Sequence, residues 1–159
     1  MTSPQASRKQ LLIAALLAIA VAGAGGSLNI LDDWYFSLEQ PWFKPPDWAF
    51  GPAWTILFGL MAWSGALGWA ASEGQVSRRR QLIWLWVANA VFNLGWSLLF
   101  FFLQRPGLAL LEVPLLWASV LMLILHKQAY APKAAKLLWP YLIWVTLAAA
   151  INLGVFILN

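Results

Sequence analysis

The sequence predicts an all-α integral membrane protein, one domain over residues 1–159 folded as a bundle of five transmembrane helices. Composition is the first reason: 62% of residues are hydrophobic and only 10% charged, against roughly a quarter charged in soluble domains. The second is spacing. Apolar runs cover Leu11 to Leu31, Gly51 to Ser72, Leu82 to Leu103, Leu108 to Leu125 and Leu137 to Leu158, each near the ~20 residues that carry a helix across a ~30 Å hydrocarbon core. The third is charge. With five crossings, Arg8, Lys9, Arg78, Arg79, Arg80, Lys127, Lys133 and Lys136 share one face, while Lys44 and Arg105 lie opposite. By the positive-inside rule that places the N-terminus in the cytoplasm for an inner-membrane protein. The net charge of +4 therefore belongs to topology, and no nucleic-acid partner is implied.

Arg8-Lys9, the run from Leu11 to Val21 and the triplet Ala22-Gly23-Ala24 have the layout of a secretory leader. The apolar stretch continues through Leu31, however, and Ala14, Ala18, Ala22 and Gly26 form a four-residue row suited to close helix packing. The first span is therefore expected to be retained. Residues 32–50 follow as a long loop with three Trp, Trp34, Trp42 and Trp48, and three prolines, Pro41, Pro45 and Pro46. Proline fixes its own φ and pushes the preceding residue toward extended backbone, so the segment is expected to be stiff, without helical hydrogen bonds, and to serve as a lid. Interfacial anchoring at headgroup depth is the alternative role for these tryptophans. The second span carries the small rows Ala62/Ala66/Ala70 and Ser64/Gly68/Ser72, also suited to helix packing.

In the third span Asn89, Asn93 and Ser97 repeat every four residues and share a face, flanked by Trp86, Trp96 and Phe100. A carboxamide exposed to lipid is costly, so both Asn side chains are expected to face protein or a cavity, with Asn93 the better ligand candidate. The fourth span holds Glu112, expected as an interfacial carboxylate near Arg105, and His126, the one histidine. His126 is expected to be a solvated helix-end residue, and without cysteine or clustered ligands no metal site is expected. In the fifth, Pro140 is expected to kink the chain, and Tyr141, Trp144, Ala148 and Asn152 follow one face. Ala148 leaves room for a flat ligand or a neighbouring helix, and its size alone does not choose between them. Trp63, Trp96, Trp117 and Trp144 lie deep in their spans, where an indole N–H seeks a partner inside the bundle or at a subunit interface.

Several ordered motifs carry a family resemblance. Trp34-Tyr35, Gln40-Pro41-Trp42-Phe43-Lys44-Pro45-Pro46-Asp47-Trp48-Ala49-Phe50, Pro52-Ala53-Trp54-Thr55, Phe92-Asn93-Leu94-Gly95-Trp96 and Pro140-Tyr141-Leu142-Ile143-Trp144 together resemble the tryptophan-rich sensory protein family, bacterial relatives of the translocator protein. The resemblance implies a five-helix receptor or sensor binding porphyrins such as protoporphyrin IX, and similar flat hydrophobic molecules, beneath the first loop. It implies Trp34, Tyr35, Trp42, Trp54, Asn93, Trp144 and Ala148 as ligand-binding residues. Lys44 is the cation nearest by topology to a porphyrin's propionates. It also implies a homodimer in membrane lipid, and light-dependent porphyrin degradation with Trp34 and Trp144 at the matching positions. Porphyrin would be a ligand and not a cofactor. Where relatives carry an aromatic-basic sterol motif, this chain reads Leu153-Gly154-Val155-Phe156-Ile157-Leu158-Asn159, so poor sterol binding is expected there. No acid–base pair, activated nucleophile or phosphate loop points to hydrolysis or phosphoryl transfer. Transport of a porphyrin or other amphiphile is the alternative function, although neither an inverted repeat nor a charge relay supports it.

Overall fold

The computed structural model describes residues 5–159. Its elements are α1 (Arg8–Leu28), α2 (Asp33–Ser37), a 3-10 turn (Asp47–Ala49), α3 (Phe50–Ala71), α4 (Val76–Ser97) continuing into a π turn (Leu98–Phe102), α5 (Pro106–Gln128), α6 (Pro132–Lys136) and α7 (Trp139–Leu158). Five stretches, formed by α1, α3, α4, α5 and α7 with the short turns that extend three of them, are long and apolar enough to cross a membrane. Residues facing outward from them are largely apolar, such as Leu12, Leu17, Ile56, Val91, Leu111 and Ile143, as expected of a bundle solvated by acyl chains.

The tight core lies among α3, α4, α5 and α7, where Leu57, Leu82, Val120, Leu123, Tyr141 and Val145 pack together. A second cluster at the far end joins Tyr35, Phe100, Ala109, Ile151 and Val155. The first helix lies along α3 outside this core: Ser7 and Gln10 close its start as a reciprocal capping box, and Gly25 is its one buried residue. A Cβ on Gly25 would sit 3.6 Å from Leu94 and 3.9 Å from Asn93 Oδ1, so glycine there lets α1 lie directly on α4.

Three boundaries differ from the sequence expectation. The third span begins at Val76, so Arg78, Arg79 and Arg80 lie in the first turns of α4 and not in a loop. Cations are unfavourable at a helix N-terminus, but Arg78 lies over Tyr130 and Arg79 over Trp69, at 4.4 and 4.6 Å from the ring centroids. The kink expected at Pro140 is instead a helix start: the chain turns at Leu137–Leu138 and Pro140 falls in the first turn of α7, where its missing N–H costs nothing. The first loop is not free of helix either. Asp32 Oδ1 accepts from the Tyr35 N–H at 3.1 Å and caps α2, and only the proline-rich stretch between α2 and the 3-10 turn stays extended or turned.

That stretch is fastened across the end of α7. Pro41 is buried so close to Gly154 that a Cβ there would sit 2.8 Å from the proline ring. Asn159 accepts from the Glu39 N–H at 3.0 Å and donates to the Glu39 carbonyl at 3.1 Å. The π turn matters as well. Leu103 N–H donates to the Leu98 carbonyl at 2.8 Å, and Gln104 leaves the turn at φ 53°, an uncommon backbone for a non-glycine residue. Its amide is held by Asp32 Oδ2 at 3.0 Å, which ties this bend to the first loop.

Candidate ligand-binding site

A cavity of about 750 Å³ lies between α1, α3, α4 and α7. Its aromatic wall includes Trp54, Phe58, Trp96, Phe101 and Trp144, and its small-residue wall is α1 itself, through Ala15, Ala18, Ala22 and Gly26. Of the row expected to pack helices closely, Ala18, Ala22 and Gly26 line this space and Ala14 does not. Ring geometry holds the aromatic wall: Trp54 and Trp144 meet edge to face with centroids 6.5 Å apart, and Phe50 meets Trp144 at 5.5 Å. The π turn directs both Phe100 and Phe101 inward, with Phe100 stacked on Trp96 at 5.4 Å and Phe101 against Tyr35 at 5.7 Å.

Polar groups gather at the base of the cavity. Tyr141 is fully buried and its hydroxyl accepts from Asn93 Nδ2 at 3.1 Å and Asn89 Nδ2 at 3.4 Å. Asn89 also donates to Ser119 at 2.9 Å, binding α4 to α5. Asn89 therefore serves helix packing, whereas Asn93 lines the cavity. Asn152, on the same face of α7 as Trp144, is spent elsewhere: it accepts from Trp96 Nε1 at 3.2 Å and donates to the Pro106 carbonyl at 2.9 Å. Trp144 Nε1 is buried without a hydrogen-bond partner, an unmade bond that costs about 1–3 kcal/mol in a closed protein interior.

The roof is a polar latch. Tyr35 donates to Asp47 Oδ1 at 2.7 Å, and Asp47 also pairs with Lys44. The Lys44 ammonium lies 5.5 Å from the Tyr35 ring centroid and 5.9 Å from that of Phe50. Burial first, then the hydrogen bond and charge of Asp47, hold the Tyr35 hydroxyl protonated well above its ordinary pKa. The cation that topology offered to a propionate is thus engaged with an internal carboxylate.

Of the residues implied by resemblance, Tyr35, Trp54, Asn93, Trp144 and Ala148 come together around this cavity, and Trp34 and Trp42 do not line it. Trp34 leans edge-on against Phe100 at 6.2 Å and faces a separate groove with Gln104, Arg105 and Phe156, because α2 turns it away from Tyr35. Trp42 is 95% exposed, carried out by the turn that follows Pro41, and touches the ring of Phe43 at 5.7 Å; its position suits interfacial anchoring. Among the deep tryptophans, Trp117 donates to Thr146 at 2.9 Å, while Trp63 is half exposed on the outer surface. Sequence reasoning missed Phe101, the Tyr35–Asp47 latch and the α1 wall. The first is hidden by the π turn, the second spans the loop, and the third reads as a packing motif.

Two expectations for the fourth span are corrected. Both Glu112 oxygens are buried without a hydrogen-bond partner, near Gly95, so the carboxylate is turned into the protein and is not the interfacial group expected. His126 is half-buried against Tyr130, ring centroids 5.3 Å apart, with Nε2 unpartnered, and is not a solvated end residue.

With this geometry in hand, comparison with known proteins decides the lineage. The TspO/MBR family model matches residues 12–158. The chain belongs to the TspO/MBR family. It is 35% identical to the tryptophan-rich protein TspO of Archaeoglobus fulgidus, covering 92% of this chain and 94% of that protein. It is 32% identical to the tryptophan-rich sensory protein of Cereibacter sphaeroides, over 94% and 91% of the two chains. It is 29% identical to the human translocator protein, over 75% and 70%. As a TspO/MBR protein with five apolar helices it is an integral, multi-pass membrane protein.

Proposed function

We propose that this TspO/MBR protein is a membrane receptor or sensor whose cavity binds porphyrins, protoporphyrin IX among them, and similar flat hydrophobic molecules. One observation carries the reading: about 750 Å³ of space walled by indole and phenyl rings, with two amides, Asn29 and Asn93, and the unpartnered indole N–H of Trp144. Ligand pockets are mostly apolar, with a few placed polar groups, and edge-to-face indoles present the faces and N–H groups that a π-system with acceptor atoms uses. The family relatives named as sensory or translocator proteins agree with that role. Ligand carboxylates would lie toward the loop, where Lys44 can exchange Asp47 for a propionate. Light-dependent degradation of the ligand, if carried out by this cavity, falls to Trp144, since Trp34 faces elsewhere.

The test is saturable quenching of tryptophan fluorescence by protoporphyrin IX in detergent. Micromolar binding weakened at least tenfold, or about 1.4 kcal/mol, by Trp144→Ala or Asn93→Ala supports the receptor. Unsaturable quenching that both variants share with the wild type would exclude it. A transporter would in addition move protoporphyrin across proteoliposomes.

A further inference from the structure

We propose that the ligand enters and leaves this cavity sideways, from the bilayer, through a slot between α1 and α3, and not through the loop above it. This rests on the reading of the cavity as a ligand site and names where its ligand comes from: a molecule dissolved in the membrane.

The two possible routes are built differently. Above the cavity, Tyr35, Asp47 and Lys44 are joined by a hydrogen bond and an ion pair, Phe50 packs on Trp144, and the loop beyond is fastened to α7 through Pro41 and Asn159. Opening that roof breaks polar contacts and unseats a buried proline. At the side, Gly23 and Gly26 of α1 and Gly51 and Gly59 of α3 all line the cavity, and a Cβ added to any of them would meet no atom within 4 Å. The slack is at one depth. Helices α1 and α3 run antiparallel and meet the loop at Leu28 and Phe50, so at ~1.5 Å per residue these glycines all fall within about 14 Å of the loop end.

The helix forming one edge of the slot lies along α3 but is the least buried of the five spans. Gly25 alone of α1 is buried, resting on Leu94, Asn93 and Ser97 of α4. No polar side chain of α1 between Gln10 and Ser27 exists to hold it to α3, so widening the slot breaks dispersion contacts and no hydrogen bonds. In hydrocarbon those contacts are replaced by lipid at little cost. A planar amphiphile lying in the bilayer with its polar end toward the headgroups arrives already oriented, with apolar rings at the depth of the slot and carboxylates beside Lys44.

The experiment is stopped-flow quenching of the protein in nanodiscs by protoporphyrin IX, with dissociation followed by transfer to excess acceptor vesicles. The variants are Gly59→Phe in α3 and Gly26→Leu in α1, each placing bulk in the slot. A side chain that only crowds the ligand speeds its release, whereas one that obstructs the route slows it. We expect release at least fivefold slower than wild type in one or both variants, with association slowed in parallel, and no acceleration of exchange in Asn159→Ala, which unties the loop from α7 at Glu39 without touching the cavity lining. Release as fast as wild type or faster in both glycine variants overturns lateral entry while leaving the cavity a binding site. Severalfold faster exchange in Asn159→Ala also overturns it, in favour of the roof. Absence of saturable binding in the wild type removes both the receptor and its route.

Discussion

Lys127 shows how a single residue is accommodated in this bundle. It is fully buried, donates to Ser64 Oγ at 2.8 Å and lies 4.3 Å from the Trp86 ring centroid, with Gly68 so close that a Cβ would sit 3.2 Å from its Cε. Ser64 in turn donates to the Ala134 carbonyl at 2.6 Å. The row Ser64/Gly68/Ser72 thus makes space for a lysine and gives it an acceptor, rather than simply packing two helices. Ser64→Ala leaves the Lys127 amine and the Ala134 carbonyl short of a partner, and should lower stability by about 1–3 kcal/mol, seen as a fall in the thermal midpoint in detergent. Lys127→Met keeps the length, removes a costly buried polar head and should hold or raise that midpoint. Glu112, with neither oxygen partnered, follows the same logic: Glu112→Gln should raise the midpoint or leave it unchanged.

At the scale of elements, the first loop is a strut laid across the end of α7. Gly154 permits it: any side chain there collides with the Pro41 ring, a rigid neighbour that cannot swing aside. Gly154→Leu should therefore unseat the loop, giving faster proteolysis within 38–46 and weaker protoporphyrin binding than Gly154→Ala, which should lie between it and the wild type. The long helices were legible in the sequence because lipid leaves a spanning segment no alternative to saturating its own backbone, so length and hydropathy suffice. Asn93 and Trp144 were legible for a related reason, since a carboxamide or indole N–H deep in a span seeks a partner inside the bundle, whereas Trp54 was reached only through the family resemblance and Trp63, equally deep, faces outward. The π turn was not, because Leu98–Phe102 is five apolar residues that read as continuous α-helix. Nor was the outward course of Trp34 and Trp42: their directions depend on the cap at Asp32 and the turn after Pro41, which aromatic richness does not encode.

The whole molecule is a core of α3, α4, α5 and α7 with α1 laid along α3 outside it, and this division separates stability from binding. The buried contacts that hold the fold together, from Leu57 through Val145, exclude α1, yet α1 supplies an entire wall of the cavity. Its one buried residue is Gly25, seated on α4, where a methyl group would find ordinary contact distances of 3.6 to 4.0 Å and anything longer would lift the helix from α4. Gly25→Ala should therefore bind protoporphyrin within about threefold of wild type, a difference of about 0.7 kcal/mol. Gly25→Leu should bind at least tenfold more weakly while its thermal midpoint falls by only a few degrees, because the core is untouched. Parallel titrations and melting curves on the two variants check this. If Gly25→Leu loses stability and binding together, α1 belongs to the cooperative core, and the open wall beside it is a rigid surface instead of a movable one.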